Sequence, residues 1–194
     1  MKLFLMPYIL FSGHMIDKPG RPVPRFPPEM EDAAAAAIRS AVREVVGGDG
    51  QAEVSTDGYS GIAAAACGGD ILFHEACQEL GVPSEIYLGI PIDEFEKTSV
   101  EFAGEGWVRR YRKLVGQLPV HVLFPEAKAD VGDEVWEKAN EWMVAVASHD
   151  GGDAMSLIVL WDGEGGDGPG GTRHMVETAG ELGADITIIG TDLL

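Results

Sequence analysis

Leu157-Ile158-Val159-Leu160-Trp161-Asp162-Gly163-Glu164-Gly165-Gly166-Asp167-Gly168-Pro169-Gly170-Gly171-Thr172 is an apolar run that empties into six glycines and then into a segment of helical spacing. A short continuous apolar run closed by glycine reads as a buried strand. Glycine lets backbone N–H groups come close to an anion, and a helix that starts there aims its positive end at the same point. The stretch therefore predicts a strand, a phosphate- or nucleotide-binding loop and a helix, in that order.

Working outward, the same alternation recurs. Leu3 to Phe11 is an apolar run, followed by a proline-rich loop from Asp17 to Pro28 and an alanine-rich helix from about Glu29 to Val46 that Gly47-Gly48 stops. A second strand lies within Gln51 to Ala66. The helix after Gly68-Gly69-Asp70 carries Ile71, Leu72, Ala76 and Leu80 on one stripe and ends at Gly81. Ser84 to Ile90 predicts the third strand, and Asp93 to Gln117 predicts helix broken near Gly104 and Gly106, with Trp107, Val108 and Tyr111 facing inward. Val120 to Phe124 is the fourth strand and Asp133 to Ser148 a helix whose Trp136, Trp142 and Met143 stripe suits packing on a sheet. Met155 to Trp161, Thr172 to Leu182 and Ile186 to Ile189 complete the set as strand, helix and strand.

Apolar strands separated by helices predict a single α/β domain over residues 1 to 194: a doubly wound, Rossmann-like, mostly parallel sheet with helices on both faces. Ligands of such sheets bind at the carboxyl ends of the strands. Three loops at those ends stand out.

After strand one comes Phe11-Ser12-Gly13-His14, then a basic island of Lys18, Arg21 and Arg25 on a proline-stiffened loop. The island either clamps a phosphate or offsets nearby acids on the surface, with equal support for each. After strand two comes Cys67-Gly68-Gly69-Asp70, where paired glycines offer N–H donors and Asp70 either caps the helix or accepts from ribose hydroxyls. Cys67 reads as a core thiol. After strand five, Gly163-Glu164-Gly165-Gly166-Asp167-Gly168 fits the dinucleotide pattern G-x-G-x-x-G, but a chain of 26 glycines produces such matches by chance, and that fingerprint belongs in the first βαβ unit. Gly170-Gly171-Thr172, directly before the helix, is the better phosphate cradle, with Asp162 and Gly163 at the strand end.

The 194 residues include 32 acids and 14 bases, a net charge of −18. That balance disfavours nucleic acid and anionic membranes as partners, since both need a positive field. Cys67 and Cys77 form no pair or metal spacing, which suits a reducing, cytoplasmic setting. Met1 to Phe11, interrupted by Pro7, fits a strand better than a signal peptide, and no apolar run is long enough to span a bilayer. Neither Gly-Lys-Ser/Thr nor His-Glu-x-x-His occurs, and His14, His74, His121, His149 and His174 are scattered, so no cofactor or metal is expected. The aromatic stripes Trp107 to Tyr111 and Trp136 to Trp142 fit core packing or a homo-oligomer interface equally well.

Phe11-Ser12-Gly13-His14, Cys67-Gly68-Gly69-Asp70, Ala139-Asn140-Glu141-Trp142-Met143, and Leu160-Trp161-Asp162-Gly163 with Gly168-Pro169-Gly170-Gly171-Thr172 together resemble the SLOG superfamily. That group includes the Lonely Guy phosphoribohydrolases and the DNA-processing proteins. The resemblance implies a Rossmann-like domain that holds a nucleotide in its glycine loops. Its divergent members are thought to sense nucleotide-derived signals in bacterial stress and antiviral systems, often beside an effector domain or protein. The phosphoribohydrolases carry Pro-Gly-Gly-x-Gly-Thr-x-x-Glu. Here Pro169-Gly170-Gly171 runs straight into Thr172, and Glu177 lies five residues beyond the threonine instead of three. Two extra residues turn a helical side chain through about 200°, which points Glu177 away from the site. The expectation is thus a binding or sensing domain for an ADP-ribose-like or cyclic nucleotide ligand, with phosphate at Gly68-Gly69 and Gly170-Gly171-Thr172 and sugar or base at Ser12, Gly13 and His14. The alternative is an N-glycosidase or deoxyribosyltransferase-like enzyme, with Asp70, Glu75 or Asp162 as the carboxylate.

Overall fold

A computed structural model describes residues 7–47, 58–148, 155–165 and 170–194. Six strands, β1 (Tyr8–Gly13), β2 (Ser60–Ala63), β3 (Ser84–Leu88), β4 (Val120–Val122), β5 (Ser156–Trp161) and β6 (Asp185–Gly190), form one sheet in the order β4-β3-β2-β1-β5-β6. Every neighbouring pair is parallel. The helices are α1 (Glu31–Gly47), α2 (Gly69–Leu80), α3 (Ile92–Ser99), α4 (Glu105–Val115), α5 (Glu134–Ser148) and α6 (Thr172–Glu181). The expected class and element order are those found. β1 sits two residues later than the sequence pattern suggested at its end, and the expected start of that strand lies outside the described residues.

Alternation along the strands divides the interior in two, because successive side chains leave opposite faces of a sheet. Ile9, Phe11, Ile158 and Leu160 join the buried stripes of α1, α2 and α4 on one face. Leu10, Leu157 and Val159 meet Met143 and Val144 of α5 and Met175 of α6 on the other. Gly61 has a packing reason: a Cβ there would come within 2.9 Å of the Phe73 ring, so its absence lets α2 lie close to β2. Phe73 stacks on Phe11 at 5.0 Å, and His74 is fully buried between the Ser84 hydroxyl and the Ala64 carbonyl. Burial drives the His74 value down to about 4, so it is a neutral tie between α2 and the sheet. Trp107 and Tyr111 are core residues of α4.

The break near Gly104 separates α3 from α4, with a short 3-10 turn at Glu101–Ala103 between them. Arg110 of α4 ties this layer together. It makes a two-pronged contact with Glu75, reaches Glu31 at 2.6 Å, and lies 4.0 Å over the Trp107 ring. No helix among the described residues is long and apolar enough to cross a membrane.

Strand order decides where a ligand can go. From β1 the chain first builds outward through β2, β3 and β4, then crosses back with α5 and continues from β5 to β6. The loops after β1 and β5 therefore diverge to opposite sides and leave a crevice at their carboxyl ends.

Candidate functional site

A cavity of about 750 Å³ occupies that crevice. Ser12, Gly13 and His14 from the end of β1 floor it, Gly170, Gly171 and Thr172 close one side, and Lys18, Arg21 and Arg25 reach it from the long loop after β1. Asp70, Thr98 and Ser99 of α3, and Phe95, Phe102 and Trp136 also line it, with Trp136 packed beside Gly170. The size suits a small-molecule ligand.

The loops after β1 and β5 are knitted by polar contacts. The His14 N–H donates to the Leu160 carbonyl, and the Asp162 N–H donates to His14 Nε2 at 3.2 Å. That bond needs the neutral ring, and burial, the largest influence on His14, lowers its value despite the Asp162 carboxylate 3.1 Å away. Arg25 pairs with the other Asp162 oxygen at 3.1 Å and donates to the Gly165 carbonyl. Asp17 accepts the N–H groups of Arg25 and Phe26 and faces Arg21 at 3.4 Å. Arg21 and Arg25 are thus ordered by acids, as one of the two readings had it, and with Lys18 they also line the cavity. Lys18 lies 5.0 Å over the Phe102 ring.

The Thr172 end is equally specific. The Ser12 hydroxyl donates to Thr172 Oγ at 3.4 Å, joining β1 to the first residue of α6. Gly171 is the N-cap and supplies no side-chain acceptor, so the first N–H groups of α6 face the cavity end without a cap. Gly170 has φ +80 and packs its backbone on α5, where a Cβ would lie 2.6 Å from the Glu137 nitrogen. Asn140 holds it by donating to its carbonyl at 2.6 Å. Gly166 and Pro169, with the residues between them, lie outside the described residues.

Gly68 and Gly69 require correction. Their N–H groups were expected to hold phosphate, but the Gly69 N–H donates to the His14 carbonyl at 3.1 Å, and neither glycine lines the cavity. Gly68, at φ +111, bridges to Met15, and a Cβ there would meet the His14 oxygen and the Ile16 nitrogen at 2.7 Å. The pair is a close crossing of two backbones. Cys67 is buried, and burial pushes its thiol up to about 12, which leaves it inert as a nucleophile. Glu75 is held by Arg110 and lies outside the cavity lining, as do Asp162 and Gly163. Glu177 is exposed on α6.

Asp70 differs from the other carboxylates. It is buried and lines the cavity, with one oxygen taking the Ala66 N–H at 3.1 Å. Desolvation pushes it up to about 7. The wall formed by Phe95, Thr98, Ser99 and Phe102 was not singled out in the sequence, because these residues read as part of an ordinary packed helical segment. Trp136, expected to pack the sheet or to serve a homo-oligomer interface, lines the cavity. Among the described residues, no group of three or more His, Cys, Asp or Glu is placed to hold a metal ion.

Sheet order, switch-point cavity and helices on both faces define a Rossmann-like α/β protein with a candidate site at the carboxyl ends of the neighbouring strands β1 and β5. Among solved structures it is similar to DNA processing protein A (DprA) from Streptococcus pneumoniae, with a TM-score of 0.56 and 15% identity over 95% of this chain. The chain spans 50% of that protein's length. A second similar structure is TM1055, a structural-genomics protein, at a TM-score of 0.45 and 14% identity over 93% of this chain and 72% of that one. No family model and no curated protein matches the sequence.

Proposed function

We propose that the protein binds a nucleotide-derived small molecule in the crevice between the ends of β1 and β5. The observation that carries this is the 750 Å³ cavity at the reversal of strand order, with the Ser12 and Thr172 hydroxyls, the uncapped start of α6 and the arginines Arg21 and Arg25 around one end. Hydroxyls, helix N–H groups and guanidinium groups together are the chemistry that holds phosphate and sugar. On the resemblance set out above, the ligand is a signal of the ADP-ribose or cyclic nucleotide kind in a bacterial stress or antiviral system. Recognition without turnover is the preferred reading, because Glu177 lies on the exposed side of α6 and Glu75 is held by Arg110. The name of DNA processing protein A speaks of DNA; for this chain the net charge of −18 weighs against such a partner.

Thermal-shift and calorimetric titration with AMP, cyclic AMP, ADP-ribose and NAD test the proposal. At least one raises the melting temperature and binds at one site per chain. No response to any of them would sink it. Asp70 favours a second reading, cleavage of an N-glycosidic bond, since a buried carboxyl near pH 7 can donate and accept a proton. Chromatography after incubation separates the two: free base appears only under the second.

A further inference from the structure

Among the described residues, every lysine and arginine that lines the cavity, namely Lys18, Arg21 and Arg25, comes from one loop, residues 17–26, in a chain of net charge −18. The loop adds little to the core. Residues 18–20 and 22–24 are exposed, while Ile16 and Phe26 are buried and plant its two feet. Holding so exposed a segment in one shape costs conformational entropy that its own packing does not offset.

Asp17 closes the neck of the loop. Its N–H donates to the Phe26 carbonyl at 2.9 Å, and its Oδ2 accepts the N–H groups of Arg25 at 2.8 Å and Phe26 at 3.0 Å. The other carboxylate oxygen lies 3.4 Å from Arg21 Nε, and only 9% of the Asp17 side chain is exposed. Within the neck, Lys18-Pro19-Gly20-Arg21 has the marks of a type II turn. Proline stands at its second position, Gly20 takes φ +78 at the third, and the Arg21 N–H donates to the Lys18 carbonyl at 3.1 Å. Lys18 over the Phe102 ring and Arg25 against Asp162 steady the two ends.

We infer that Asp17 is a positioning residue for phosphate recognition: acting through the loop rather than on the ligand, it holds residues 18–25 as a pre-shaped cationic strap at the cavity. This rests on the nucleotide reading of the cavity and deepens it. A strap ordered in advance loses little freedom when a phosphate arrives, which strengthens binding. The role has a distinctive sign. A carboxylate near an anion site opposes the anion by its charge, so removing it would tighten binding if charge alone mattered, whereas losing the strap weakens binding.

Trypsin reads the strap directly. Pro19 and Pro22 block cutting after Lys18 and Arg21, so Arg25–Phe26 is the one bond open to it in the loop, and the N–H of that bond is held by Asp17. Wild type resists there. Asp17→Ala is cut there at least tenfold faster while Arg39 and Arg43 of α1 stay uncut, and Asp17→Asn, which keeps an acceptor oxygen but not the charge facing Arg21, falls between. Titration calorimetry reads the consequence: Asp17→Ala lowers the ratio of AMP to adenosine affinity at least fivefold. Equal cutting of wild type and Asp17→Ala, an unchanged ratio, or a ratio that rises as charge removal alone would make it, overturns the inference and leaves a nucleotide site in place. If Asp17→Ala fails to fold, Asp17→Asn carries both measurements in the same directions. Failure of AMP to bind wild type would count against the proposed function, and the cutting rates still decide whether Asp17 holds the strap.

Discussion

Replacing Asp70 with asparagine turns its burial into a measurable pH dependence. The carboxyl ionises at 3.8 in its ordinary state and is pushed up to about 7 in the fold. Between those values the native state keeps a proton that the unfolded chain has lost, so stability falls as pH rises through the window and levels off above about 7. The slope is about 1.4 kcal/mol per pH unit for one proton. From pH 5 to pH 8 the wild type should therefore lose about 3 kcal/mol relative to Asp70→Asn, because asparagine does not titrate. The cost of fitting an amide at this position is the same at both pH values and cancels from the difference. Urea unfolding of both proteins at pH 5, 6, 7 and 8, without ligand, gives the two curves. Parallel curves would refute the claim that Asp70 is a buried carboxyl without a cation.

Other parts of the site yield shorter tests. Gly170→Ala must place a Cβ 2.6 Å from the Glu137 nitrogen at positive φ, which should cost about 2 to 4 kcal/mol and lower the melting temperature. Asp162→Asn removes the carboxylate that raises His14, so the His14 value should fall further below its ordinary range, as followed by NMR titration of the ring. Arg110→Met breaks the contacts with Glu31 and Glu75 and should destabilise by about 2 kcal/mol in denaturant unfolding, while Glu75→Gln leaves ligand affinity unchanged. Native protein should resist a thiol reagent at pH 8 at both Cys67 and Cys77, whose thiols burial pushes up, and should react at both in urea.

Much of the architecture was legible because parallel strands are buried on both faces and leave continuous apolar runs such as Leu157 to Leu160. The order of elements and the class followed from those runs. Which side of β1 each strand joins did not, since pairing is a tertiary choice; that β5 sits beside β1, opposite β2, is what creates the crevice. The β1 and β5 loops stood out in the sequence because His14, Arg25 and the glycines before Thr172 are unusual at strand ends, and both loops line the cavity. The aromatic wall was missed for the opposite reason. Phe95, Phe102 and Trp136 lie on helical or turn segments whose patterns are satisfied by ordinary packing, and only the tertiary placement of α3, the turn after it and α5 brings them to a cavity.

The two glycine pairs show why a phosphate loop is hard to recognise from composition. Glycine is needed wherever backbone meets another group closely, whether that group is an anion or a second stretch of backbone. At Gly68-Gly69 the second stretch is the His14 to Ile16 segment, and the Gly69 N–H is already committed to the His14 carbonyl. At Gly170-Gly171 the first glycine is likewise used against α5, but the second is an N-cap without an acceptor of its own. The structural crossing at Gly68 still serves the site. It pins the loop after β1 over the start of α2, which fixes His14 and holds Asp70 at the cavity wall. The first pair supplies position, and under the proposed function it is the second pair, with Ser12, Thr172, the arginines and Asp70, that would meet the ligand.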